Sequence, residues 1–286
     1  MLVMFVTQKN IKMKSQLKNI AFAFPAILLF ASCKKSETTP TPAPTVVKEY
    51  SIKMAAANEI AINSRIETST AALKIFSDNS ISFTASFSNF TAGDTIKAAH
   101  IHVGNAVSNG SIVLPFTIVA TGAAVEAKAL NVRQTLIDSL TNNLIEFYAN
   151  VHSVLSPGGF ARGQIGKNIS QAYNVSLSGT NQPNPVTTTA TGIAIVRIIE
   201  DNRLFSKITI SNLETTDTLR YAHIHIGATG SNGPVIVNLA DTKDDFGTTQ
   251  IRMISAGLAD SIATKMIYIN VHSNFSPGGK IRGQIR

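Results

Sequence analysis

The chain has six histidines, and they fall into two sets of three: His100, His102 and His152, then His223, His225 and His272. Each set is a His-x-His pair followed by a single histidine about fifty residues later. In a strand, side chains two apart share a face. The pair His100/His102 therefore presents two imidazoles to one side, with Ala99, Ile101 and Val103 directed to the other. His-x-His with a third imidazole from another strand is an acceptable ligand set for zinc or copper. The neighbours suggest other chemistry. Tyr148, Asn150 and His152 alternate with Phe147, Ala149 and Val151, and Arg162 and Gln164 follow shortly; Tyr268, Asn270, His272, Arg282 and Gln284 repeat the set. A planar guanidinium can hold several backbone carbonyls, so these residues also read as a hydrogen-bonded network locking strands or a loop. A third reading is an exposed face that binds a protein or glycan ligand. Against a metal stands the nearby cationic arginine. No carboxylate is firmly placed to compensate, since Asp94 and Asp217 lie six residues before each His pair, in a turn.

Hydrolytic chemistry is not supported. Ser153 and Ser273 adjoin histidines, but neighbours in a strand point to opposite faces and cannot form a serine–histidine pair. The sequence contains no G-x-S-x-G, H-E-x-x-H or phosphate-loop pattern. The glycines of Pro157-Gly158-Gly159 and Pro277-Gly278-Gly279 read as turn formers. No catalytic residue is assigned.

The elements that carry these residues are duplicated. Residues 87–104 align without a gap on 210–227 at an offset of 123, and residues 150–165 align on 270–285 with twelve of sixteen positions identical. Two such blocks in the same order mark an internal duplication, with copies over 47–167 and 168–286. Strict alternation in Ile81–Phe87 reads as a half-buried strand, with turns at Ser108-Asn109-Gly110 and Ser156-Pro157-Gly158-Gly159 and at their counterparts. Short helices are expected over Arg133–Asn143 and Ser255–Lys265. Many short strands in about 120 residues indicate an all-β sandwich or barrel for each copy.

Residues 1–32 read as a signal peptide, with Met13 a plausible start: Lys14 and Lys18 precede an eleven-residue apolar run, Ile20 to Phe30, too short to span a bilayer. Leu29-Phe30-Ala31-Ser32-Cys33 resembles the lipobox of bacterial lipoproteins, in which the cysteine carries lipid. Cys33 is the single cysteine, so no internal disulfide exists. Residues 33–46 are Pro/Thr-rich and read as an extended tether. The expected location is the envelope, with the body exported and held at the membrane by its lipid. Of the net charge of +8, four lysines lie in residues 1–32; without them 21 basic and 17 acidic residues remain. They form no basic run, which argues against nucleic acid as a partner.

The run Ala99-His100-Ile101-His102-Val103-Gly104, with Asn109-Gly110, Asn150-Val151-His152-Ser153, Pro157-Gly158-Gly159 and Arg162-Gly163-Gln164-Ile165, resembles the CHRD domain, named from chordin. Copy two fits more closely, opening on Leu177-Ser178-Gly179 and including Asn232-Gly233-Pro234-Val235; in copy one Met54–Glu59 stands in for the opening. The resemblance implies two tandem immunoglobulin-like β-barrels, distantly similar to copper–zinc superoxide dismutases, and assigns no molecular function; the chain is read as a binding or structural module. It also implies the alternative of a metal-dependent redox protein, although three histidines per copy fall short of the roughly six that a copper–zinc pair takes.

Overall fold

The computed structural model describes residues 42–142 and 145–286. Cys33 and the apolar run before it lie outside the described residues. No helix among those described is long and apolar enough to cross a membrane.

Copy one is a single antiparallel sheet of nine strands: β1 (Val46–Ala55), β2 (Thr68–Phe76), β3 (Ile81–Ser86), β4 (Ile96–Val103), β5 (Ile112–Pro115), β6 (Thr117–Thr121), β7 (Ala124–Ala129), β8 (Phe147–Ser153) and β9 (Ala161–Gln164). Their spatial order is β5-β4-β8-β9-β1-β2-β3-β7-β6, and the sheet curls until β6 packs near β4. Copy two repeats the plan with β10 (Ile169–Ser178), β11 (Thr191–Ile199), β12 (Arg203–Ser211), β13 (Leu219–Ile226), β14 (Val235–Ala240), β15 (Gln250–Met253), β16 (Ile267–Ser273) and β17 (Ile281–Gln284). Its order is β14-β13-β16-β17-β10-β11-β12-β15. The protein is all-β, two nearly closed barrels in tandem.

The alternation read from the sequence fills the barrel interiors. Ile52, Leu73, Phe83, Ile101 and Val151 are fully buried in one, and Val196, Ile224, Ile269 and Val271 in the other. Asn79 and Asn202, at equivalent turns, both take the left-handed backbone that asparagine tolerates better than most residues. The expected helices form as α1 (Gln134–Thr141) and α2 (Ala256–Thr264), the latter capped by the Ser255 hydroxyl, which accepts from the Leu258 N–H.

The two copies dock. Ile60, Ala106 and Val107 of the first pack against Ile169, Ile195, Ile199 and Phe205 of the second. Arg197, fully buried, donates to the carbonyl of Glu59 at 2.8 Å as well as to its own copy's Tyr173 carbonyl and Asn174 side chain. Asn174 in turn donates to Glu59 O at 2.8 Å. Where copy two has Arg197, the copy-one strand carries a surface pair, Lys74 with Glu49.

Candidate functional site

Adjacent strands β4, β8 and β9 assemble the site of copy one on the face away from the barrel interior. Register sets His100 opposite Asn150, His102 opposite Tyr148, Asn150 opposite Arg162 and Tyr148 opposite Gln164. In copy two, β13, β16 and β17 set His223 opposite Asn270, His225 opposite Tyr268 and Asn270 opposite Arg282.

The twelve residues singled out in the sequence divide into two working parts in each copy. The first is a buried lock. Arg162 is 0 % exposed, its guanidinium lying 3.4 Å over the Tyr148 ring and donating to the carbonyls of Asn105 and Ser108 in the loop that follows β4. Arg282 lies 3.3 Å over Tyr268 and donates to the carbonyls of Ser231 and Ala228. Burying a guanidinium costs several kcal/mol unless its donors are satisfied, and loop carbonyls with a phenol face supply that. Tyr148 and Tyr268 accept the N–H of Gly110 and Gly233 at 3.2 and 3.1 Å. Those glycines are obligatory: a Cβ on either would lie 1.6 Å from the carbonyl oxygen of Val103 or Ile226. The face is therefore not an exposed one. Tyr148, Asn150, Arg162, Tyr268, Asn270 and Arg282 are all buried beneath loops, because the arginine draws the loop after β4 or β13 across them.

The second part is the histidine cluster. In copy one, His102 Nδ1 lies 3.0 Å from the Gly110 carbonyl and His152 Nδ1 lies 2.9 Å from the Pro157 carbonyl. A carbonyl only accepts, so both Nδ1 atoms carry hydrogen and both Nε2 atoms carry the lone pair. In copy two His225 Nδ1 and His272 Nδ1 donate to Gly233 O and Pro277 O, each at 2.9 Å. The free ring nitrogens then converge: one donor atom from each of the three rings lies within 4.8 Å of the others, in both clusters. His223 Nδ1, His225 Nε2 and His272 Nε2 are buried without any hydrogen-bond partner, as is His102 Nε2. His100 Nδ1 lies 3.1 Å from His152 Nε2, and since His152 holds its hydrogen on Nδ1, His100 is the donor.

Five of the rings are pushed towards the neutral form. Burial pulls His100, His102, His225 and His272 below the ordinary imidazole range, with neighbouring cationic groups or rings adding to it. His223 is pulled down to about 4 by burial and then by His272 and His225, with Asp241 opposing. The arginine lies beyond Tyr148, which stacks on His102 at 4.8 Å, and its charge still reaches His102 and helps to lower it. Tyr268 stacks in the same way on His225 at 4.8 Å.

Ser153 and Ser273 turn away from the histidines and donate to Asp94 and Asp217 at 2.6 and 2.7 Å. Burial alone would raise the Asp94 carboxyl, but hydrogen bonds from Ser153, the Leu155 and Thr95 N–H groups and Arg65 carry it down to about 2. The counter-cation has moved between copies: Arg65 pairs with Asp94 at 2.9 Å, whereas Lys280, standing where copy one has Phe160, pairs with Asp217 at 3.1 Å. These carboxylates pin the loops after β8 and β16 and supply no ligand to the clusters.

One layer of the lock lay beyond the sequence reading. Asn58 and Asn181 donate to the carbonyls of Arg162 and Arg282, each at 2.9 Å. The neighbour Gln182 donates to the Asn270 side chain at 2.7 Å, and Glu59 takes the equivalent position beside Asn150. The signal was present, since Asn58-Glu59 and Asn181-Gln182 share the offset of 123 that relates the His pairs.

The CHRD domain family model matches residues 50–165 and again 173–285. The chain belongs to the CHRD family. Two copies account for nearly all of the described structure, which makes the protein a tandem CHRD module. No curated protein and no solved structure matches the chain.

Proposed function

We propose that this protein is an exported, lipid-anchored binding module of the cell envelope in which each CHRD domain holds a divalent transition-metal ion, zinc or copper, through three imidazoles: His100, His102 and His152 in one, His223, His225 and His272 in the other. One observation carries the reading. In copy two three buried imidazole nitrogens converge with no partner, and in each copy two of the three rings hold their opposite nitrogen on a backbone carbonyl. An unpaired buried polar atom costs about 1–3 kcal/mol, and a cluster of them on neutral rings has little structural use. Metal-ligating histidines ordinarily donate their other N–H to a carbonyl or carboxylate, which orients the ring and raises its basicity. The spacing also suits the ion. Two nitrogens each 2.0–2.1 Å from a tetrahedral zinc lie about 3.3 Å apart, and His100 Nδ1 and His152 Nε2 are already at 3.1 Å. The hydrogen between them occupies the place a cation would take. Three protein ligands leave one position for water or an external ligand. The anchor is Cys33, within the lipobox-like Leu29–Cys33, followed by the tether that carries the domains away from the membrane.

The expected stoichiometry is two zinc ions per chain by equilibrium dialysis and elemental analysis, falling to one in the double variant His100→Ala/His102→Ala with the fold retained. Failure of both zinc and copper to bind below millimolar concentration would remove the metal reading.

A further inference from the structure

We infer that the two histidine sites are unequal and that Tyr221 makes them so: the copy-one site exchanges its metal readily and accepts external ligands, whereas the copy-two site holds its metal behind a phenol ring. This rests on the three-histidine reading of each site. The offset of 123 that superimposes the His pairs sets Tyr221 on Ala98. Tyr221 stacks on His223 with ring centroids 5.0 Å apart and lies 4.7 Å from His272, so it packs on two of the three ligand rings at once. The Arg220 guanidinium lies 5.6 Å over the same ring and adds a further cover. Nothing comparable is possible in copy one, where a methyl group takes the tyrosine's place.

Two further differences run the same way. His272 is 7 % exposed, while its counterpart His152 is half-buried. In copy two all three donor atoms are buried and unpartnered, so metal enters without displacing a protein hydrogen bond. In copy one the ion must first break the contact between His100 and His152. Copy two is thus the better prepared and the more enclosed, and both properties slow release. With His100 and His152 only half-buried, a metal held in copy one would be open to a small anion or the carboxylate of a partner.

The test is release kinetics on the full chain. Protein carrying two equivalents of zinc is mixed with excess 4-(2-pyridylazo)resorcinol, and formation of the coloured complex is followed. The expected result is two phases of equal amplitude with rates at least tenfold apart. The fast phase is lost in His100→Ala/His102→Ala. Tyr221→Ala moves the slow phase towards the fast one, and Ala98→Tyr slows the fast phase, giving a gain-of-cover variant that does not depend on removing a packed ring. Release of both equivalents in one phase, or a slow phase unchanged by Tyr221→Ala, overturns the inequality while leaving the metal reading intact. A chain that takes up no zinc overturns both.

Discussion

At the scale of single residues, the arginine and the histidines of one face have separate duties. Arg162 satisfies loop carbonyls and covers Tyr148, whereas His102 uses one nitrogen to hold Gly110 and leaves the other bare. Arg162→Met is expected to cost about 3 kcal/mol in chemical denaturation, since it strands the Asn105 and Ser108 carbonyls in a closed space. His100→Ala, which deletes a half-buried ring with one side-chain hydrogen bond, is expected to cost less than about 1 kcal/mol. Equal losses at the two positions would contradict the division. The sequence places both residues on one face correctly, because a period of two is unambiguous in a strand that alternates as cleanly as Ala99–Val103. The network reading, in which the guanidinium holds loop carbonyls, anticipates the lock. Which loop it holds is not legible, because the contact joins residues more than fifty apart, Arg162 with Asn105 and Ser108, and no local pattern encodes it.

At the scale of elements, the short turn after β1 repeats after β10 and closes each lock from beneath, with one informative difference. Glu59 in copy one stands where copy two has Gln182. Burial drives the Glu59 carboxyl up to about 7, and the nearby Arg162 and Arg197 charges only partly oppose it. In copy two the Gln182 amide stands there, uncharged, and donates to Asn270 Oδ1 at 2.7 Å. Between the unfolded value near 4.5 and about 7, the folded chain holds the extra proton, so this group's contribution to stability is present at pH 4–5 and is lost as pH rises through 7. Glu59→Gln is therefore expected to match the parent near pH 5 and to exceed it by about 2 kcal/mol at pH 8 in urea denaturation. A variant less stable at pH 8 would show that the ionised carboxylate is what the site uses. The duplication is legible from aligned blocks and this turn is legible as the opening of each copy, but its part in the lock is not, because the two versions share only the asparagine and a glutamate–glutamine exchange.

At the scale of the whole molecule, the duplication has produced a docked pair rather than two beads on a string. Arg197 of the second copy and an apolar cluster built from both, Ala106 and Val107 against Ile195 and Phe205, join the barrels, and the first copy has no counterpart of Arg197. That asymmetry could not be read by comparing the copies, since interface residues are those in which duplicated sequences are free to diverge. The proposed export and anchoring belong to this scale too. Cys33→Ser is expected to abolish incorporation of labelled palmitate and to release the protein from the membrane fraction, and labelling that survives the substitution would sink the anchor. The central claim is that each barrel carries a metal on three imidazoles, and zinc K-edge X-ray absorption on the loaded full chain tests it most directly. The account predicts a first shell of three imidazole nitrogens and one further light atom at about 2.0–2.1 Å, with the outer-shell scattering of ordered rings. A first shell of oxygen alone, without imidazole scattering, would contradict it.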